Sequence, residues 1–195
     1  MHYLGKKIKM SKNLLKKYLN EVVYSIRSFE LENILLLKKK ILVTKKKKGK
    51  VYIFGNGGSI STANHFAVDM TKNAKVETIS ISNDNLITCF SNDYGFEYWI
   101  ENGIKYHVKK NDFIIFLSVS GKSKNIINAA KYCNKKKINF FSLTGHKKNN
   151  LLNKLSKNFL WIDSMSYNIV EIAHSIILLN IVDLIIGKNI YASKR

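Results

Sequence analysis

KVYIFGNGGSISTANHFAVDMTK, residues 50–72, holds three structural statements in one run. Val51-Tyr52-Ile53-Phe54 is continuously apolar, as a strand buried on both faces must be. Gly55-Asn56-Gly57-Gly58-Ser59 stops it, and Ala63, Phe66, Ala67 and Met70 then recur at helical spacing. Strand, tight glycine turn and helix follow one another without a gap. Glycine lets the backbone take positive φ and approach a ligand closely, while the free amides and dipole of a helix start favour an anion. No Gly-Lys-Ser/Thr closes the turn, and the spacing G-x-G-x-x-G is absent, so neither a Walker loop nor a dinucleotide fingerprint is present. A tight strand-to-helix turn needs glycine with or without a ligand, and this stretch alone leaves both readings open.

Residues 112–128, DFIIFLSVSGKSKNIIN, repeat the grammar. An apolar strand from Phe113 to Leu117 runs into Ser118-Val119-Ser120-Gly121-Lys122-Ser123, and a helix follows. Hydroxyls and amides at a helix start can surround a phosphate, although Ser120 or Ser123 would serve equally as a plain N-cap. Two such loops, each at the carboxyl end of a strand, fit the rule that open α/β sheets bind ligands along that edge. Together they favour a bound sugar phosphate.

The rest of the chain continues the alternation. Strands are expected near 50–54, 76–81, 112–117, 138–143 and 158–162. Helices are expected near 12–27, 29–46, 60–72, 84–92, 96–108, 123–136, 148–154 and 167–186. Such an order gives an α/β fold: a three-layer α/β/α sandwich around a parallel five-stranded sheet, preceded by N-terminal helices. Residues 12–195 read as one domain, and 1–11 as a stretch without ordered structure, with Met10 as a second candidate start.

Composition narrows the function classes. With 195 residues, 46% of them hydrophobic, the chain can build one sizeable core. The longest apolar run, Ile176–Ile186, is interrupted by Asn180 and Asp183, and the first residues lack a signal-peptide core; a cytoplasmic location is expected. Cys89 and Cys133 match no metal or redox spacing. The formal charge of +20 invites nucleic acid, with lysine runs at 38–40, 45–48 and 135–137. Lysine is abundant throughout, no nucleic-acid motif accompanies the runs, and helix ends tolerate lysine because the dipole is negative there. The runs read as solvated surface, giving at most weak, salt-dependent, sequence-independent binding.

GNGGS and SVSGKS, together with SNDYGFE at 91–97 and SLTG at 142–145, make the chain resemble a sugar isomerase (SIS) domain over about residues 12–187, with its flavodoxin-like sheet. More narrowly it is similar to the bacterial phosphoheptose isomerases. These interconvert sedoheptulose 7-phosphate and D-glycero-D-manno-heptose 7-phosphate, on the route to lipopolysaccharide or capsule heptose. The resemblance implies a homotetramer with active sites shared between subunits and a phosphorylated sugar as ligand. It assigns the phosphate to Ser59, Ser118, Ser120 and Ser123, with Gly57 and Gly58 in the first loop, and the sugar hydroxyls to Asn56 and Asp93.

Aldose–ketose isomerisation through an enediol needs a base and an acid beside the carbonyl. His65 and Asp69 lie four residues apart on one helix, and Glu171 and His174 three apart on another, so each pair shares a face. Pairs of this kind are ordinary surface pairings when taken alone. The resemblance makes them candidates for a zinc site, with His65, Asp69, Glu171 and His174 as ligands. It makes Asp69 the base in place of a glutamate, and Glu171 or His174 the acid. It also exposes departures: Val119 stands at a threonine, Asn73 at an arginine, and Leu179, or Leu178 in a register one residue away, at a second histidine that serves as metal ligand and acid. Leucine does neither. An isomerase and a non-catalytic module binding a sugar phosphate or a protein, like the bacterial initiator-associating proteins that bind DnaA, both remain open.

Overall fold

The central strands of this chain, Val51–Phe54 and Phe113–Ser118, are buried on both faces, so each must be covered twice. In the computed structural model, which describes residues 2–189, helices do this from both sides. Helices α1 (His2–Arg27) and α2 (Leu31–Lys46) lead into β1 (Val51–Phe54), α3 (Gly58–Lys72), β2 (Thr78–Ser80) and α4 (Asp84–Tyr94). A 3₁₀ turn (Phe96–Tyr98) precedes α5 (Trp99–His107), β3 (Phe113–Ser118), α6 (Lys124–Lys136) and β4 (Phe140–Thr144). The chain continues through α7 (Leu151–Leu155), β5 (Phe159–Trp161) and α8 (Tyr167–Ile186). The five expected strands are present within two residues at either end. The helix expected at 96–108 divides into the 3₁₀ turn and α5. The one expected at 148–154 begins later, because Asn150 caps it by accepting the Asn153 amide. Helix α1 begins at His2, ten residues ahead of the expected start.

All pairings are parallel, in the order β2-β1-β3-β4-β5. Alternate residues therefore feed two separate cores. Val51, Ile53, Ile115 and Leu117 pack with α2, α3 and α8 through side chains that include Leu37, Phe66, Met70 and Leu178. Tyr52, Phe54, Ile114 and Phe116 pack on the other face with Trp99, Ile104, Ile127 and Leu152. Helix α8 is long and apolar enough to cross a membrane by length and composition. Val170, Ala173, Ile177, Leu178, Ile181 and Val182 are nevertheless buried against the sheet and its neighbours, so here it is a core helix.

In this strand order the connections leave β1 in opposite senses, which creates a switch point between β1 and β3 where a crevice opens at the carboxyl edge. The glycine turn after β1 and the serine turn after β3 flank it. The opposite, amino edge receives the strand starts and the ends of the helices that lead into them. The lysine runs therefore meet there: Lys45–Lys48 ahead of β1, Lys109–Lys110 ahead of β3 and Lys135–Lys137 ahead of β4. Large side chains also remain exposed on the N-terminal helices, including Leu14, Leu15 and Leu19 on α1 and Leu31 and Leu35 on α2.

Candidate functional site

The first loop is shaped by glycine at three successive points. A Cβ on Gly55 would stand 2.7 Å from that of Ser59, so the chain can double back here only without a side chain. Gly57 takes φ 52° and ψ −125°, a conformation that other residues rarely adopt. Ser59 and Ile60 donate their amides to the carbonyls of Asn56 and Gly57, each at 3.0 Å, which leaves the Gly57 and Gly58 amides free to receive a ligand. A Cβ on Gly58 would lie 2.8 Å from the carboxyl carbon of Glu171, so this half-buried acid from α8 rests against the first turn of α3. The positive end of the helix dipole favours a carboxylate there.

The second loop is clamped to the first. Asn56 and Asn125 exchange side-chain amide hydrogen bonds in both directions, at 3.0 and 2.8 Å, and the Asn125 oxygen also accepts the Ile126 amide at 2.9 Å. Asn125 is fully buried, so its amide is satisfied inside the protein at both ends. Asn56, expected at the sugar hydroxyls, thus spends its side chain on holding the two loops together. Sequence reasoning missed Asn125. Its signal was a polar residue one turn ahead of Ala129 on the apolar stripe of α6.

The serines line this second loop. Ser118 ends β3 and is buried, and its hydroxyl lies 3.4 Å from that of Ser123. The Ser120 hydroxyl accepts the Lys122 amide at 3.3 Å, a weak bond that a stronger acceptor can displace. Gly121 takes φ +62°, and a side chain there would run into Asn150. Val119 is buried in the core while its carbonyl accepts the Gly145 amide, which ties the loop to the end of β4.

The proposed acid–base residues are less concentrated. His65 Nε2 sits 3.3 Å from Asp69 Oδ2, and Asn73 donates to the other Asp69 oxygen at 3.1 Å. His65 is exposed. Asp69 follows Gly58 by eleven residues, about 16 Å along the helix at ~1.5 Å per residue, so one chain does not bring it to the serine loop. Asp93 lies exposed in the last turn of α4 and bonds Cys89 and Asn92. The bond to Cys89 pushes that thiol up. On α8 the two expected partners diverge. Glu171 meets Gly58, whereas His174 points into the core with neither ring nitrogen hydrogen-bonded. The Thr144 backbone lies near the ring and slightly favours its protonation, but no bond of ordinary geometry joins them; burial dominates and holds its pKa at about 4. Among the described residues no three His, Cys, Asp or Glu side chains gather as metal ligands. The four expected zinc ligands thus do not fit a single-chain centre.

Helices α3 and α8 advance in step: Gly58 faces Glu171, and one turn later the Thr62 hydroxyl meets Ser175 at 2.8 Å. Leu179 is the next residue on that same stripe of α8 and is partly exposed, while Leu178 is buried. Of the two candidate positions, Leu179 is the one on the side of α8 turned to α3, and Leu178 is the one in the core.

Comparison with known proteins identifies the family and the fold. The sequence profile of the SIS domain matches residues 16–145. Phosphoheptose isomerase of Campylobacter jejuni is 32% identical over 139 residues, covering 68% of this chain and 74% of that protein. Phosphoheptose isomerase of Helicobacter pylori is 36% identical over 111 residues, covering 54% of this chain; the match spans only 58% of that relative's length. Among solved structures, phosphoheptose isomerase from Neisseria gonorrhoeae superposes with a TM-score of 0.84 at 21% identity, covering 91% of this chain and 99% of that one, which shows a shared fold.

The buried imidazole gives stability a pH dependence. An unfolded histidine takes up a proton near pH ~6.5, whereas folded His174 stays neutral to about 4. Between those values the unfolded state binds more protons, so stability falls as pH drops from ~6.5 towards ~4, by about 3 kcal/mol in all. Urea titrations across that range should show the loss in the wild type, and His174→Leu should remove most of it. Equal slopes in both proteins would contradict the assignment.

Proposed function

The chain belongs to the phosphoheptose isomerases of the SIS domain family, and from that membership we propose that it is an aldose–ketose isomerase acting on a phosphorylated sugar, sedoheptulose 7-phosphate. One observation carries the reading: the Asn56–Asn125 clamp joins a glycine loop with free amides to a loop of three serines at the switch point of the sheet. Ser118, Ser120 and Ser123 hold the phosphate, and the Gly57 and Gly58 amides receive oxygen atoms of the sugar. Glu171, against Gly58, is the group within the chain that can exchange a proton with bound substrate, because His174 is sealed in the core. Abstraction of a carbon-bound proton beside the carbonyl gives an enediol, and return of a proton to the adjacent carbon completes the isomerisation. Asp69 is a competent base that stands too far along α3 for its own chain's serine loop. It serves the loops of a neighbouring copy in a tetramer, the assembly to which the exposed leucines of α1 and α2 also point. The reading places this enzyme in the cytoplasm.

A second reading has support of its own. Leu179 cannot carry a proton, and Val119 turns into the core, so a sugar-phosphate-binding module without turnover also accounts for the loops.

Ser120→Ala with Ser123→Ala should abolish sugar-phosphate binding while leaving the melting temperature nearly unchanged. Each lost charge-assisted hydrogen bond contributes roughly 1.5–3 kcal/mol. Isothermal calorimetry with sedoheptulose 7-phosphate decides, and unchanged affinity in the double variant would remove the cradle from these serines.

Light scattering at micromolar concentration should return a tetramer. A monomer would leave Asp69 with no loop to serve.

Leu179→His separates the two readings. In an isomerase it supplies an acid beside α3, and general acid catalysis is typically worth ~10²–10⁴-fold, so turnover followed by NMR should rise, and rise further with Asp69→Glu. In a binding module neither change creates activity. A wild type already turning over at tens per second would show that Glu171 suffices, and Glu171→Gln should then stop it.

A further inference from the structure

The lysines, treated in the sequence as scattered solvated surface, converge at the amino edge of the sheet, opposite the sugar-phosphate loops. Two clefts open on or beside that edge. One, of about 310 Å³, lies between α2 and the start of β3, with Lys39, Lys40, Lys47 and Lys110 around an apolar floor that includes Phe113. The other, of about 400 Å³, lies between α5 and α6 and combines Lys105, Lys131, Lys135 and Lys136 with Tyr98 and Tyr132. The residues between them are the starts of the paired strands β3 and β4, where Lys109–Lys110 and Lys135–Lys137 stand. Tyr106, 65% exposed, sits at the end of α5 just ahead of Lys109.

Asp112, Glu77 and Glu101 offset only part of the lysine charge along this edge. Asp112 spends both oxygens on the backbone amides of Lys50 and Lys109, at 2.7 Å each. Glu77 pairs with Lys50, and Glu101 with Lys105 at 2.7 Å. Compensation of helix dipoles accounts for one or two cations per helix end, but not for four consecutive lysines, Lys45–Lys48, across the end of α2, nor for lysines lining concave grooves. Concave basic grooves interleaved with exposed tyrosines match a flexible strand of phosphates carrying planar groups, since every base offers a face for stacking. A flat anionic bilayer would meet the ridges and leave the clefts unfilled.

We propose that the amino edge of the sheet is a binding face for single-stranded nucleic acid, without sequence preference, independent of the sugar-phosphate site. About five phosphate contacts imply a slope near −3.5 in log K against log salt, hence ~100-fold weaker binding at ~200 mM than at ~50 mM salt. The test is fluorescence anisotropy of the full chain with a labelled mixed-sequence RNA oligonucleotide. Lys135→Glu with Lys136→Glu, both exposed, should weaken binding at least ~10-fold at low salt. Lys16→Glu with Lys17→Glu on α1, which makes the same change in net charge away from this face, should weaken it less than about threefold. Tyr98→Ser should weaken the RNA but not inorganic polyphosphate of equal charge. Equal losses in the two lysine pairs would show attraction to net charge alone and overturn the proposal. Polyphosphate or anionic vesicles binding as tightly as RNA would overturn it too. Sugar-phosphate binding measured on the same variants should stay at the wild-type level, so the fate of this face is read separately from that of the isomerase site.

Discussion

Five strands that all run the same way, the central three buried along their whole length, set almost everything else in this molecule. A parallel strand must be followed by a crossover, and crossovers that cover both faces force helices onto each side. The order β2-β1-β3-β4-β5 then leaves a single place where successive connections part, at the carboxyl ends of β1 and β3. Both loops stand there because β1 and β3 are paired, parallel neighbours in this order. The same directionality sends the lysine-rich helix ends to the far edge. The two poles, one carrying the loops proposed for a phosphorylated sugar and one strongly basic, are consequences of one register rule.

Within the crevice, small residues set the geometry and buried polar groups fix it. Gly55 and Gly58 admit close neighbours that a Cβ would expel, and Glu171 occupies the space that Gly58 leaves. The reciprocal Asn56–Asn125 amide pair is satisfied away from water, where leaving either amide unpaired would cost about 1–3 kcal/mol. His174 is the opposite case. Its ring is buried without partners and held neutral, so it adds volume to the core and a liability in acid rather than a proton donor at the surface. The consequence for the chemistry is direct: of the two candidate groups on α8, only Glu171 remains in contact with the loop that would hold substrate.

The five strands, most of the helices, the parallel sheet and the two strand-to-helix turns were legible along the chain. Those features follow from local patterns: apolar runs of strand length, helical spacing in α3, and glycine or serine where a strand turns into a helix. Such patterns survive in one dimension because each depends on near neighbours. The rest rests on contacts between distant segments, which only the folded chain brings about. Asn56 and Asn125 are 69 residues apart, and nothing local marks them as partners. Glu171 and His174 are equally placed by helical spacing, yet one faces α3 and the other the core, because the sheet lies under one side of α8 only. Asp69 and the serine loop look compatible as motifs, but the rise of α3 holds them apart within one chain. Lysine runs separated in sequence become a single basic edge because parallel strands begin on the same side.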